Sequence, residues 1–274
     1  MNDANDALQV FVPLCYAAAW TAYWLAIRSP GLLKPRTPIT FCIIALVMHG
    51  GQLAVRGRIL GQLPWTTYYD SLSALGFLMT LTYLLVELTT RVPATGYDLL
   101  PWPFVMATYA AAFGPHLPHP HAQLNNPLFA LHTVPAIGGL AAVLVSGVYG
   151  VLYLRLERAI RAKKFTGLFA RLPDLEVLAR MNFFAALIGF LLVTAAIGWG
   201  ATLYGDLFSR VDVTEPKIFL TLLVWAVLLV PAIGRFLKSW PDRATARLSV
   251  VTAGLALATI LVPMLPFVGF HGHS

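Results

Sequence analysis

Residues 131–154 read LHTVPAIGGLAAVLVSGVYGVLYL, and residues 155–164 directly after them read RLERAIRAKK. The first run carries no Asp, Glu, Lys or Arg. It is longer than the ~20 apolar residues a helix needs to cross the ~30 Å hydrocarbon core of a bilayer. The second run is crowded with cations, which collect on the cytoplasmic side of membrane proteins. Lipid offers no partner for unpaired backbone N–H and C=O groups, so the first run must cross as a helix. No tract alternates apolar and polar residues as a barrel strand would. The fold class that follows is all-α: a polytopic integral membrane helical bundle.

Working outward, the whole chain carries the same signature. With 58% hydrophobic and 11% charged residues, it falls well short of the ~25% charge of an ordinary soluble domain. Eight apolar stretches are predicted to cross, at residues 8–27, 37–55, 69–89, 99–115, 131–154, 181–203, 217–234 and 248–270. The fourth is short and begins with Pro101 and Pro103, so a re-entrant segment is the alternative there. With eight spans and both termini outside, only Arg56, Arg58, Arg210 and Lys217 of the 19 Lys and Arg lie on the outer side. A seven-span arrangement separates the charges less well. No internal repeat breaks the chain, so residues 1–274 are expected to form a single transmembrane domain.

The net charge of +7 thus belongs to inner loops facing anionic lipid and gives no reason to expect nucleic acid. Residues 155–180 mix basic residues with Leu and Phe at helical spacing, as a helix lying on the inner membrane surface would. The first apolar stretch lacks a basic leader and a small-residue cleavage site, so no cleavable signal is expected. Cys15 and Cys42 fall inside the first and second crossings, where thiols pack rather than react. No C-x-x-C-H is present, so the chain carries no covalent haem attachment motif of its own. A plasma (inner) membrane facing an oxidising outer compartment is the expected location.

Threaded this way, His49, His132 and His271 all approach the outer face. An imidazole within a membrane is costly and is a functional candidate by default. His49 stands beside Gly50 and Gly51, which would admit a flat ligand or a second helix. His132 opens the fifth crossing and His271 closes the eighth, and two neutral imidazoles can ligate a six-coordinate haem iron. Each histidine alone is equally an interfacial residue bonding a nearby carbonyl. Trp65, Trp199 and Tyr204 supply flat apolar surface beside them, and Arg56 and Arg58 are cations able to meet propionate carboxylates. An aromatic belt at the interface is the plainer account of Trp65. Asp70 and Ser71 open the third crossing, and an N-cap explains them. The loop with His116, His119 and His121 would suit Zn or Cu, but its spacing matches no closed site.

The succession MHGGQLAVRGRILGQLPWTTYYDSLSAL (48–75), LHTVPAIGGLAAVLVSGVYGVLYL (131–154), GWGATLYGDLF (198–208), EPKIFLTLLVW (215–225) and the terminal GFHGHS resembles the cytochrome c assembly protein family. That family contains the CcsA, CcmC and HemX-type haem-handling membrane proteins. The resemblance covers residues 41–273, and its most specific parts are residues 61–75 and His132. It implies non-covalent, b-type haem held at the outer face under a tryptophan-rich loop, with His132 and His271 as iron ligands. His49 would match the histidine that the family associates with haem inside the membrane. Trp199 and Gly200 would open the tryptophan-rich signature, and Pro216 and Lys217 would close it. Only Trp199 remains of its tryptophans, and Pro231 and Ile233 stand where some members place a second buried histidine. A divergent or HemX-like member fits that pattern.

The resemblance implies a haem-delivery factor for cytochrome c biogenesis rather than a stand-alone enzyme, working with apocytochrome c and a partner membrane protein. A HemX-like role in regulating haem biosynthesis is one alternative. A b-type electron carrier is another, but such proteins stack haems on paired histidines and this chain has only His49 well inside a crossing. A transporter would show midplane ionisable clusters and inverted repeats, and neither is evident.

Overall fold

The computed structural model describes residues 2–65, 67–114, 127–164, 167, 171–207, 216–236 and 240–261. These are helical apart from short connections, with no strand among them. The helices are α1 (Asn2–Arg28), α2 (Thr37–Leu60), α3 (Tyr68–Thr90), α4 (Gly96–Leu99), α5 (Pro101–Phe113), α6 (Pro127–Arg161), α7 (Leu175–Leu207), α8 (Pro216–Phe236) and α9 (Asp242–Leu261). Six of them, α1, α2, α3, α6, α7 and α8, are long and apolar enough to span a bilayer. They coincide with six of the eight expected crossings.

The other two expected crossings differ. The fourth is a 13-residue helix, α5, preceded by a 3-10 turn at Pro93–Thr95 and the single turn α4. At 1.5 Å per residue α5 reaches about 20 Å, less than the hydrocarbon thickness. Pro101 sits at its first turn, where no backbone N–H is required, and so sets its start. The last crossing begins earlier than expected, at Asp242, and runs 20 residues to Leu261; residues beyond lie outside those described. The basic stretch 155–180 does not form one separate helix. Its front continues α6 to Arg161 and its rear opens α7 at Leu175.

Contacts divide the chain into two compact units, Met1–Ala130 with Ala162–Pro173, and Leu131–Arg161 with Asp174–Ser274. In the first, α1 packs along α2 and α5, and α3 packs on α2 and α5. Its interior is polar for a protein core. Tyr23 Oη donates to Glu87 Oε2 at 2.6 Å, and Arg171 pairs with Asp98 at 2.8 Å while lying over the Tyr97 ring. Gly96 abuts Tyr23 and Tyr83 so closely that a Cβ would sit 2.5 Å from the Tyr23 ring. Meanwhile Val10, Phe11, Leu14 and Val47 are exposed on the outside. Paired polar groups inside, with large apolar side chains outside, depart from the water-soluble pattern, and lipid is the solvent that suits them.

In the second unit, α6 and α7 run antiparallel and meet at two glycines. A Cβ on Gly139 would fall 2.7 Å from Val193 Cγ2, and one on Gly189 would fall 2.9 Å from Val143 Cγ2. Small residues permit this backbone approach, which dispersion stabilises in lipid. Ser146 Oγ donates to Asn182 Oδ1 at 2.9 Å and pins the same register further along. At 35 and 33 residues, α6 and α7 exceed the bilayer core, so their ends project beyond it. Arg161 and Arg243 both pair with Glu157 at the basic end.

Candidate functional site

Each unit holds one of the candidate histidines, and the two are built differently. In the first unit, His49, Gln52 and Arg56 are buried on α2 at helical spacing, while Ile43, Ile44 and Val47 of the same helix are exposed. His49 is 0% exposed. Its Nδ1 is 2.9 Å from Tyr16 Oη of α1 and its Nε2 is 2.8 Å from Ser73 Oγ of α3. Thr80 Oγ1 lies 3.2 Å from the same tyrosine hydroxyl. Tyr16 and Phe77 close on the imidazole edge-to-face, with centroids 5.6 Å away in each case. Both ring nitrogens are therefore engaged by hydroxyl groups in this structure.

Arg56 and Asp70, each 4% exposed, form an ion pair with Nε 2.5 Å from Oδ1. Asp70 also completes a capping box. Its backbone N–H donates to Thr67 Oγ1 at 3.1 Å, and its Oδ2 accepts from the Thr67 backbone N–H at 3.2 Å. Thr67, not Asp70, is thus the N-cap of α3, and Asp70 is its partner at the third helical position, in the first turn. Arg58 is exposed, one residue pair beyond, near the C-terminal end of α2. Trp65 is half-buried in the connection after Gly61, whose left-handed φ of 65° ends α2. Its indole N–H is buried with no partner among the described residues. A narrow cavity lined by Gln9, Gln52, Arg56, Asp70, Ser73 and Ala110 lies beside the ion pair, and it suits a water-sized group.

In the second unit, His132 is half-buried on the first turns of α6. Its Nδ1 lies 2.9 Å from the carbonyl oxygen of Ala196 on α7. A carbonyl only accepts, so Nδ1 carries the proton and donates. Nε2 then keeps its lone pair, and it makes no hydrogen bond among the described residues. An imidazole oriented through one nitrogen and open at the other is the arrangement of a metal-ligating histidine. Trp199, 43% exposed, lies three residues beyond Ala196 on α7. These residues fit haem: a fixed nitrogen donor, and an exposed flat ring less than one turn along α7 from the carbonyl that fixes it. Tyr204 belongs to α7, but its side chain lies outside the described residues. His271, Arg210 and the histidines at 116, 119 and 121 lie outside them as well.

The sequence names His49, Arg56, His132 and Trp199 but not what holds them. Tyr16, Ser73 and the Ala196 carbonyl are the missing partners. No local signal marks them, because they stand 33, 24 and 64 residues from the histidines they serve.

Residues 65–266 match the model of the family described as cytochrome C assembly protein, a span that contains His132 and Trp199. Across 92% of its length the chain is 25% identical to the cytochrome c biogenesis protein CcsA of Parasynechococcus marenigrum (strain WH8102), of which 90% is covered. With a family match over most of its residues and a helical membrane fold to carry them, the chain belongs to the cytochrome c assembly protein family.

Proposed function

We propose that this protein handles haem during cytochrome c biogenesis, holding non-covalent b-type haem at the outer face of the membrane through His132, with His271 as the second iron ligand. Membership of the family supports the role in cytochrome c biogenesis, and the name of its relative from Parasynechococcus marenigrum points the same way. The observation that carries the haem reading is the state of His132, with Nδ1 committed to the Ala196 carbonyl and Nε2 without a hydrogen bond among the described residues. When bound, haem would supply an iron centre and the vinyl groups that cytochrome c maturation consumes.

The residues of this chain then have distinct tasks. His132 presents a neutral nitrogen donor whose direction is fixed by α7. Trp199, exposed on α7, offers apolar surface against which a flat ring can lie. The distribution of Lys and Arg assigns the His132 end of α6 to the outer side, because the opposite end carries Arg155, Arg158 and Arg161. The partners in this reading are apocytochrome c, which receives the cofactor, and a second biogenesis membrane protein.

Purified wild-type protein is expected to give the low-spin spectrum of a bis-histidine haem. His132→Ala and His271→Ala are each expected to weaken it. Unchanged spectra in both variants would remove the assigned ligands.

A further inference from the structure

His132 meets α7 where that helix has no side chain to shield its backbone. The Ala196 carbonyl lies one turn before Gly200, and in an α-helix a side chain covers the turn N-terminal to its own Cα. A residue at position 200 would thus overlie the carbonyl that His132 reaches. The distances bear this out. A Cβ built on Gly200 falls 2.9 Å from His132 Nδ1, closer than real Cβ atoms come, and 3.0 Å from Cε1, a tight contact. Gly198, two residues earlier, has nothing within 4 Å of its Cβ position. The absence of a side chain matters at 200 and is indifferent at 198.

The register of the helix pair delivers the histidine to this spot. Gly139 and Gly189 pass each other closely, and His132 and Ala196 each stand seven residues, two turns, from that crossing in the antiparallel sense. The ring therefore arrives beside the bared carbonyl.

We propose that Gly200 and the Ala196 carbonyl are positioning groups for His132. The glycine leaves the carbonyl open, and the carbonyl holds the imidazole as its Nδ1–H tautomer with Nε2 directed as the donor. The idea rests on the reading of His132 as a haem ligand and adds how that ligand is tuned. A carbonyl accepting from Nδ1–H makes Nε2 a stronger donor and stabilises the oxidised iron.

The test uses the full-length protein in detergent, with ¹⁵N-labelled histidine and with haem as the probe. Haem-free wild type, at a pH where the ring is neutral, should show His132 as the Nδ1–H tautomer. Gly200→Ala should shift it toward the Nε2–H form, weaken haem binding by about 10–100-fold and raise the haem midpoint potential. Gly198→Ala should behave as wild type in all three. An Nε2–H tautomer in wild type overturns the proposal whether or not any variant folds. So does a Gly200→Ala protein with wild-type tautomer and potential. If His132→Ala instead keeps the full haem spectrum while the tautomer result holds, the haem reading fails and the positioning contact stands.

Discussion

His49 stands on α2 and His132 on α6, and each is anchored to other helices of its own unit. His49 is wholly buried, with hydroxyls on both ring nitrogens and aromatic rings on its edges. His132 is half-buried, held through one nitrogen by a backbone carbonyl, and its other nitrogen makes no hydrogen bond among the described residues. The first arrangement spends the imidazole on joining α1, α2 and α3. The second spends half of it on orientation and leaves half for a ligand. A histidine in a membrane is therefore not informative until its second nitrogen is accounted for.

The contrast breaks most visibly at the ion pair near His49. Asp70→Ala would leave the buried Arg56 guanidinium without its carboxylate and α3 without its capping box. A loss of about 3–5 kcal/mol is expected, read as a fall in the thermal midpoint in detergent. A variant as stable as wild type would mean that Arg56 is solvated in the membrane. His49→Phe should cost less, about 1–3 kcal/mol, by leaving the Tyr16 and Ser73 hydroxyls without the imidazole. It should leave the haem spectrum as in wild type. A loss of the spectrum with stability intact would make His49 a ligand and erase the contrast. The smallest effect is expected in the second unit, where Trp225 Nε1 donates to Thr194 Oγ1 at 2.9 Å on an exposed face. Trp225→Phe should cost about 0.6 kcal/mol, as single hydrogen bonds between membrane helices do. A cost several times larger, measured in the same way, would show that this contact is sealed from its surroundings.

Much of the fold is legible in the residues because a span must be long, apolar and helical at once. Six crossings follow from runs such as residues 131–154. The fourth resists because Pro101 and Pro103 start a helix as readily as they interrupt one, and apolar composition does not state length. The candidate site is less legible. His132 can be picked out by its place at the head of an apolar helix, but its acceptor is a main-chain oxygen, which no residue type encodes. Arg56, read as an outer cation for haem carboxylates, is buried against Asp70. Only the residue facing an arginine across the fold decides whether it is solvated or paired. Asp70 reads as a cap and is part of one, yet the residue three earlier, Thr67, occupies the N-cap itself.

In the proposed function, Nε2 of His132 is an iron donor. The most direct test of that role is His132→Gly protein loaded with haem and examined by electron paramagnetic resonance with and without added imidazole. The low-spin signal of the wild type is expected to disappear in the variant and to return when imidazole fills the vacated position. A low-spin signal of wild-type shape in the variant without imidazole would contradict it.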